Sequence, residues 1–142
     1  MRAALAQAET AARAGEVPVG CVIVSPEGEV IGAGRNRREE DGDATAHAEI
    51  EAIRRACAHR GNWRLDDCAI YVTLEPCPMC AGAIHNARIP VVVYGAREEK
   101  SGSCGSVIDL FSENYGFRPK VYGGVLREEC ARAIRRFFED KR

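Results

Sequence analysis

An apolar segment that runs directly into a pair of cysteines constrains the fold of this chain more than any other feature. The stretch "CAIYVTLEPCPMC" (residues 68–80) opens with a short apolar run, which is typical of a central strand covered on both faces. Two prolines then flank the first cysteine, and a helix is predicted from there through about Asn86. The strand therefore delivers Cys77 and Cys80 to the start of one helix.

The rest of the chain alternates predicted strands and helices. Helices are predicted over residues 2–14, 47–61 and 126–142, and strands within residues 17–34, 90–96 and 120–125. Residues 17–34 are expected to form a hairpin around the turn "PEGE", and residues 35–45 a charged loop. In the second helix, Ile50, Ile53, Cys57 and neighbouring alanines are expected to form the buried stripe. This order predicts an α/β fold, a mixed sheet with helices on both faces.

The composition suits one compact domain over residues 1–142. It is 46% hydrophobic and 29% charged with a formal net charge of −1, which argues against a protein that coats nucleic acid by bulk charge. No apolar run approaches the roughly 20 residues that span a bilayer, and the alanine-rich N-terminus is too charged for a signal peptide. The seven cysteines are an odd number without framework spacing, so a reduced, cytoplasmic protein is expected. Five of them are expected to be small core residues: Cys21, Cys57, Cys68, Cys104 and Cys130.

The cysteine pair needs a further ligand if it holds a catalytic metal ion. Catalytic zinc commonly takes three protein ligands and leaves the fourth position to water. Of the three histidines, His85 is rotated by about 140° from Cys80 on a continuous helix, which turns it away from the same metal. His59 lies at the C-terminal end of its helix, where a surface position is expected. His47, at the start of that helix, is therefore the best third ligand.

Glu49 stands two residues after His47. Positions i and i+2 lie about 200° apart on a helix, so both side chains approach one centre only if the helix begins at the metal. Placed there, Glu49 is a carboxylate beside the metal without being a ligand, which suits it to activating water and carrying the proton. This pattern favours a catalytic zinc site over its two alternatives, a redox Cys-x-x-Cys and a purely structural zinc site.

The paired motif is also the signature of a known class of enzymes. H-x-E and P-C-x-x-C, here "HAE" (47–49) and "PCPMC" (76–80), form the zinc deaminase pattern. The segments "GEVPVGCVIV", "GAGRNR", "ATAHAEIEAIRRAC" and "ARIPVVVYGAREEKSGSCGS" extend the likeness over nearly the whole chain. Together they resemble the bacterial tRNA-specific adenosine deaminases.

The resemblance implies a fold, an assembly and a reaction. The fold is a three-layer α/β/α arrangement of the cytidine-deaminase type with a central mixed five-stranded sheet, usually as a homodimer. The reaction is hydrolytic deamination of adenosine to inosine, with release of ammonia, at the wobble position of a tRNA anticodon. By motif position, His47, Cys77 and Cys80 would hold one Zn²⁺ per subunit, and Glu49 would move the proton.

Three substrate-binding residues are also implied by the resemblance. Asn36, in "GRNR", would form a hydrogen bond to the flipped base. Glu98 and Lys100, in "GAREEKSG", would lie where the family contacts nucleotides of the anticodon loop. The partner implied for this surface is therefore a tRNA anticodon stem-loop, with no membrane involved.

The chain departs from the family at two places on the expected RNA-facing side. It reads "YGFR" at Tyr115–Arg118 where the family tends to carry an "FNHR"-like stretch, and Glu98 replaces the usual aspartate. Three alternatives are therefore kept: a deaminase of free guanine or cytosine, a paralogous or engineered deaminase of other single-stranded nucleic acid, and a non-catalytic zinc-stabilised RNA-binding module. Trp63 and Phe111 are candidates for stacking on bases, with a core or dimer role as the alternative.

Overall fold

The computed structural model describes residues 1–141, which form one five-stranded sheet with helices on both of its faces. The strands are β1 (Gly20–Val24), β2 (Val30–Arg35), β3 (Ala69–Leu74), β4 (Val91–Ala96) and β5 (Lys120–Tyr122). The helices are α1 (Arg2–Arg13), α2 (Arg38–Asp41), α3 (Ala48–Arg60), α4 (Pro78–Ala87) and α5 (Arg127–Asp140), with a short 3₁₀ turn at Leu110–Ser112.

The strand order is β2-β1-β3-β4-β5, and the pairing is mixed. β1 runs antiparallel to β2 and to β3, whereas β3, β4 and β5 are parallel. Helices α3 and α4 lie side by side, as do α1 and α5. The predicted α/β class, with a mixed five-stranded sheet and a central strand that leads into the cysteine pair, is confirmed.

Helix α3 lies directly on β2 because both elements present small residues at the contact. A Cβ added at Gly32 would lie 2.4 Å from the carbonyl oxygen of Ala52, and one added at Gly34 would lie 2.3 Å from that of Ala48. The fully buried apolar residues of α3 are therefore three alanines: Ala48, Ala52 and Ala56. The two isoleucines and the cysteine expected in this stripe are only partly buried: Ile50, Ile53 and Cys57. Close backbone contact leaves room for a methyl group but not for a branched side chain.

A short helix interrupts the segment predicted to be a charged loop. Within residues 35–45, Arg38–Asp41 forms α2, so the loop prediction was wrong there. The cause is Glu16, which is 1% exposed and accepts hydrogen bonds from the main-chain amides of Glu39 (2.6 Å) and Glu40 (3.1 Å). These amides belong to the start of α2 and have no partner within the helix. Since Glu16 lies 23 residues earlier in the chain, local sequence patterns do not reveal the contact.

The core fills the space between the sheet and its helices. Ile23, Ile70 and Ile84 are fully buried, from β1, β3 and α4 respectively. All seven cysteines are free thiols, and outside the cysteine pair three are buried (Cys21, Cys68 and Cys130) and two are partly buried (Cys57 and Cys104). Among residues 1–141, none of the helices combines the length and apolarity that a membrane crossing requires.

Candidate active site

Two helices begin at the same edge of the sheet, and each begins on a candidate metal ligand. His47 is the residue immediately before α3 and Cys77 the residue immediately before α4, and both have extended backbone conformations. Cys80 lies in the first turn of α4. Because α3 and α4 are neighbours in one layer, their starts bring the histidine and the two cysteines together.

The three ligand atoms are spaced as a tetrahedral metal site requires. Nδ1 of His47 lies 3.7 Å from Sγ of Cys77 and 3.6 Å from Sγ of Cys80, and all three atoms lie within 4.8 Å of one another. Zinc bonds of about 2.3 Å to sulfur and about 2.1 Å to nitrogen at tetrahedral angles place ligand atoms about 3.6 Å apart. One nitrogen and two sulfurs at this spacing fit Zn²⁺.

The electrostatics of the cluster favour a thiolate at Cys77. A hydrogen bond from Cys80 is the main cause that lowers the pKa of Cys77 to about 4, and the contact with His47 lowers it further. The hydrogen bond with Cys77 in turn raises the pKa of Cys80, because two neighbouring thiols do not readily lose both protons without a cation. The hydrogen bond to Cys77 raises the pKa of His47. The site therefore carries one negative sulfur and a second thiol whose ionisation calls for a positive charge.

Glu49 is a buried carboxylate beside this cluster. It lies in the first turn of α3 and is 4% exposed. Burial raises the pKa of Glu49 to about 7, against the opposing influence of its own backbone hydrogen bond and of His47. Because His47 precedes the helix rather than lying within it, the two side chains share one centre despite their i, i+2 spacing. Glu49 is thus placed to exchange protons with a molecule at the metal.

The cluster opens into a pocket of about 900 Å³. Three of the residues implied in substrate binding, Asn36, Glu98 and Lys100, line this pocket together with His47, Glu49 and Cys77. Asn36 follows β2 directly, whereas Glu98 and Lys100 lie in the loop after β4. The structure therefore brings all seven predicted site residues to one place, with Cys80 buried behind the wall.

Asn36 already has partners inside the protein. Its side-chain amide donates to the carbonyl oxygen of Val17 at 3.4 Å, and its side-chain oxygen accepts from the amide of Arg38 at 3.2 Å. An amide group has two donor hydrogens and an oxygen with two lone pairs. Asn36 is thus held in position while one donor and one lone pair stay available to a ligand.

Helix α5 contributes residues that the sequence did not single out. Ile134, Arg135 and Phe138 line the same pocket as the candidate metal ligands, and Phe138 is 48% exposed. The aromatic candidates from the sequence lie elsewhere: Phe111 is 3% exposed and belongs to the core, whereas Trp63 lies just beyond the far end of α3 and is absent from the pocket wall. The arginine-bearing pattern of α5 was visible in the sequence, but its position above the pocket was not.

A family model, a curated relative and a solved structure that resemble this chain are all of deaminases. The MafB19-like deaminase family model matches residues 1–131. The tRNA-specific adenosine deaminase of Streptococcus pyogenes serotype M18 is 47% identical over an alignment that covers 100% of this chain and 89% of that protein. The chain therefore belongs to the family of tRNA-specific adenosine deaminases. A solved structure from studies of A-to-I editing by tRNA:A34 deaminases at the wobble position of transfer RNA superposes on this chain with a TM-score of 0.89. It is 45% identical and is matched over 94% of this chain and 96% of that chain.

Two relatives are much longer than this chain. A protein of Deinococcus radiodurans named tRNA(Ile)-lysidine synthase is 51% identical over 100% of the chain, but the chain spans only 24% of that protein's length. A second Deinococcus protein of the same name shows the same relation, with 27% of its length covered. The chain therefore matches most of the length of the Streptococcus pyogenes protein but only about a quarter of the length of the Deinococcus proteins.

The "YGFR" stretch lies away from the pocket. The ring of Tyr115 packs against His85 at a centroid distance of 5.2 Å, and Phe117 packs against the same ring at 5.9 Å. The guanidinium of Arg88 lies over Phe117. His85 and Arg88 lie at the C-terminal end of α4, whereas the metal cluster lies at its N-terminal end. Within one subunit, Tyr115–Arg118 therefore forms an aromatic cluster on α4 rather than a wall of the pocket.

Proposed function

We propose that this chain catalyses the hydrolytic deamination of adenosine to inosine at the wobble position of a tRNA anticodon, releasing ammonia. The observation that carries the proposal is the meeting of His47, Cys77 and Cys80 beside the buried Glu49 at the bottom of an open pocket. The 47% identity to a tRNA-specific adenosine deaminase over the whole chain supports adenosine in tRNA as the substrate. We also propose that the three ligands hold one Zn²⁺ per subunit.

The chemistry divides between the metal and Glu49. When bound to these ligands, zinc supplies the Lewis acidity that makes water nucleophilic at neutral pH. Glu49 takes a proton from the water that attacks C6 of adenine and delivers it to the adjacent ring nitrogen. The carboxylate, ionised again, takes the proton of the new C6 hydroxyl and passes it to the amine. The C6–N bond then breaks as the C6 carbonyl forms, so that ammonia leaves and inosine remains. Burial of Glu49 excludes bulk water from these proton transfers.

The outer walls of the pocket supply contacts to the RNA. Asn36 has a free donor and a free lone pair for the edge of the flipped base. Lys100 and Arg135 place positive charges at the rim, where phosphates of the anticodon stem-loop approach. The exposed ring of Phe138 offers a surface on which a neighbouring base stacks. Bases of an anticodon loop are already accessible, so extrusion of the target costs less than in a duplex.

We further propose a cytoplasmic homodimer. The support for a dimer is a set of exposed large apolar side chains that lie outside the pocket: Trp63, Val107, Ile108 and Tyr115. Free, reduced thiols at all seven cysteines suit a cytoplasmic location. Sedimentation or light scattering at micromolar concentration measures the mass, and a monomer of 15.5 kDa would contradict the dimer.

Inosine mapping on total tRNA after incubation with the purified protein tests the proposed reaction. We expect inosine at the wobble position of one or a few tRNAs, one equivalent of ammonia per inosine, and product formation slower by about 10² to 10⁴ with the Glu49→Ala variant. A synthetic anticodon stem-loop assayed beside free adenine, guanine and cytosine separates the tRNA enzyme from a free-base deaminase. Deamination of a free base without inosine in RNA overturns the proposal.

A further inference from the structure

Glu75 is a buried carboxylate that the proposed chemistry does not use. It lies between β3 and the Pro76–Cys77 step, and it is 2% exposed. Its two oxygens accept four hydrogen bonds. The donors are the main-chain amides of Glu98 (3.2 Å), Cys104 (3.0 Å) and Ser106 (3.1 Å) and the hydroxyl of Ser106. All four belong to residues 97–106, which we call the rim loop.

The rim loop rests on this segment without space for a side chain between them. A Cβ added at Gly102 would lie 2.5 Å from the carboxyl carbon of Glu75 and 2.4 Å from the carbonyl oxygen of Glu98. The amide of Ser103 donates to the carbonyl oxygen of Pro76 at 2.8 Å. The loop is therefore fastened to the residues that immediately precede Cys77.

The same loop builds one wall of the pocket. Its first half, residues 97–101, lines the pocket beside His47 and Glu49. Residues 97–106 include no named helix or strand, and apart from the bond from Ser103 to Pro76 their main-chain bonds stay within the loop or join it to residues 107–110. The side chain of Glu98 accepts from the amide of Lys100 at 2.9 Å, but this bond lies within the loop and does not attach it to the body of the protein. Glu75 accepts four of the bonds that attach the loop to the body of the protein, and the bond from Ser103 to Pro76 is a fifth.

We infer that Glu75 is a positioning residue for RNA recognition: it holds the rim loop at a set distance from the metal ligand Cys77, two residues further along the chain. A carboxylate that accepts several main-chain amides is a strong and directional anchor. It keeps the RNA-contacting wall and the reacting centre in one rigid arrangement, which substrate positioning requires. This role rests on the proposed function, since it assigns the rim loop to the tRNA.

Three substitutions weaken the anchor in different ways. Glu75→Gln keeps the size of the side chain but turns an NH₂ group toward N–H donors. Ser106→Ala removes one of the four donors and leaves the carboxylate intact. Gly102→Ala leaves all the hydrogen-bonding groups in place but forces its methyl group against the carboxyl group. The controls are Glu27→Gln, an exposed carboxylate in the β1–β2 turn, and Ile23→Val, which lowers stability in the core away from the loop.

The measurements are steady-state deamination of an anticodon stem-loop, zinc content, and cleavage by trypsin after Arg97 and Lys100, which are both exposed in the rim loop. For Glu75→Gln and Gly102→Ala we expect KM to rise about tenfold with kcat within about threefold of wild type. Zinc content should stay at the wild-type value, and tryptic cleavage of the loop should accelerate about tenfold. Ser106→Ala should shift KM and cleavage in the same direction by a smaller factor, and both controls should leave them unchanged.

Two results overturn the inference. One is an unchanged KM and unchanged cleavage in the three variants. The other is a fall in kcat as large as the rise in KM, or a loss of zinc. Either would show that Glu75 positions the metal ligands rather than the rim loop. If Glu75→Gln does not fold, Ser106→Ala decides by the same criteria. If the wild-type protein makes no inosine, the proposed function fails, while the cleavage rates still decide whether Glu75 holds the loop.

Discussion

The two halves of the pocket are built in opposite ways. The metal half consists of His47, Cys77, Cys80 and Glu49, which lie at the starts of two packed helices and are buried or half-buried. The outer half consists of residues 97–101 of the rim loop and the α5 side chains Arg135 and Phe138, most of which are exposed. A residue at a helix start is held by backbone geometry, whereas an exposed side chain changes at little cost to stability. Under the proposed function, the reaction type and the choice of substrate are therefore set by separate parts of one site.

The largest effect is expected from removing a ligand in the metal half. Cys80→Ala leaves only two of the three ligand atoms, so the variant should purify without zinc and lose at least about a thousandfold in kcat/KM. Metal analysis and inosine formation measure the two effects. Cys130→Ala, which also removes a buried thiol but lies in α5 outside the cluster, is the matched control and should retain metal. Full activity of Cys80→Ala without metal would contradict the assignment.

Removing the proton carrier should be almost as damaging but should leave the metal. Glu49→Ala is expected to lower kcat by about 10² to 10⁴ because positioned acid–base catalysis contributes that range. Zinc content and KM for an anticodon stem-loop should change little, since Glu49 is outside the ligand cluster. Glu51→Ala, two residues further along α3, serves as the control. Substantial residual turnover in Glu49→Ala would remove this residue from the mechanism.

A smaller effect, on binding alone, is expected in the outer half. Phe138→Ala should raise KM for the stem-loop by about 5- to 150-fold with little change in kcat, because stacking of one base on an aromatic ring is worth about 1–3 kcal/mol. Tyr122→Ala removes a similarly exposed aromatic side chain that lies outside both the pocket and the proposed dimer contact, and its KM should stay at the wild-type value. A larger KM effect at Tyr122 than at Phe138 would contradict the placement of the RNA at the pocket.

The smallest effect is expected at the aromatic cluster on α4. Tyr115 is 60% exposed and packs against His85 far from the pocket, so Tyr115→Ala should change the free energy of unfolding by less than about 1 kcal/mol. Its KM should stay within about twofold of wild type. A large KM change would show that the "YGFR" stretch contacts RNA bound to another subunit, which would divide the outer half between two chains.

The sequence predicted those parts of the site that depend on short-range patterns. A helix start at His47 and a strand-to-helix passage through Cys77 are visible in local residue order, and the starts of two neighbouring helices meet at one edge of the sheet. The distances between the candidate ligand atoms depend on tertiary structure, but only on how two neighbouring helices, α3 and α4, lie against the sheet. For this reason the predicted ligands and Glu49 lie together in the structure.

Long-range contacts account for what the sequence did not reveal. Helix α2 forms because Glu16 accepts amides 23 and 24 residues away, and the rim loop is anchored by Glu75 across a similar separation. The alanine stripe of α3 follows from glycines on β2, which no periodicity within the helix indicates. Phe138 was missed because its role depends on where α5 crosses the pocket.

The sequence by itself determined the order of the strands and of the helices other than α2, the donor set of the proposed metal centre and the family to which the chain belongs, because these depend on residue types at fixed local spacings. Only the tertiary structure decided which side chains form the outer half of the pocket, and it separated the "YGFR" cluster from that pocket. The physical reason is that two short motifs contain the whole ligand set. The pocket wall, in contrast, consists of a loop, a strand end and a terminal helix that only folding brings together.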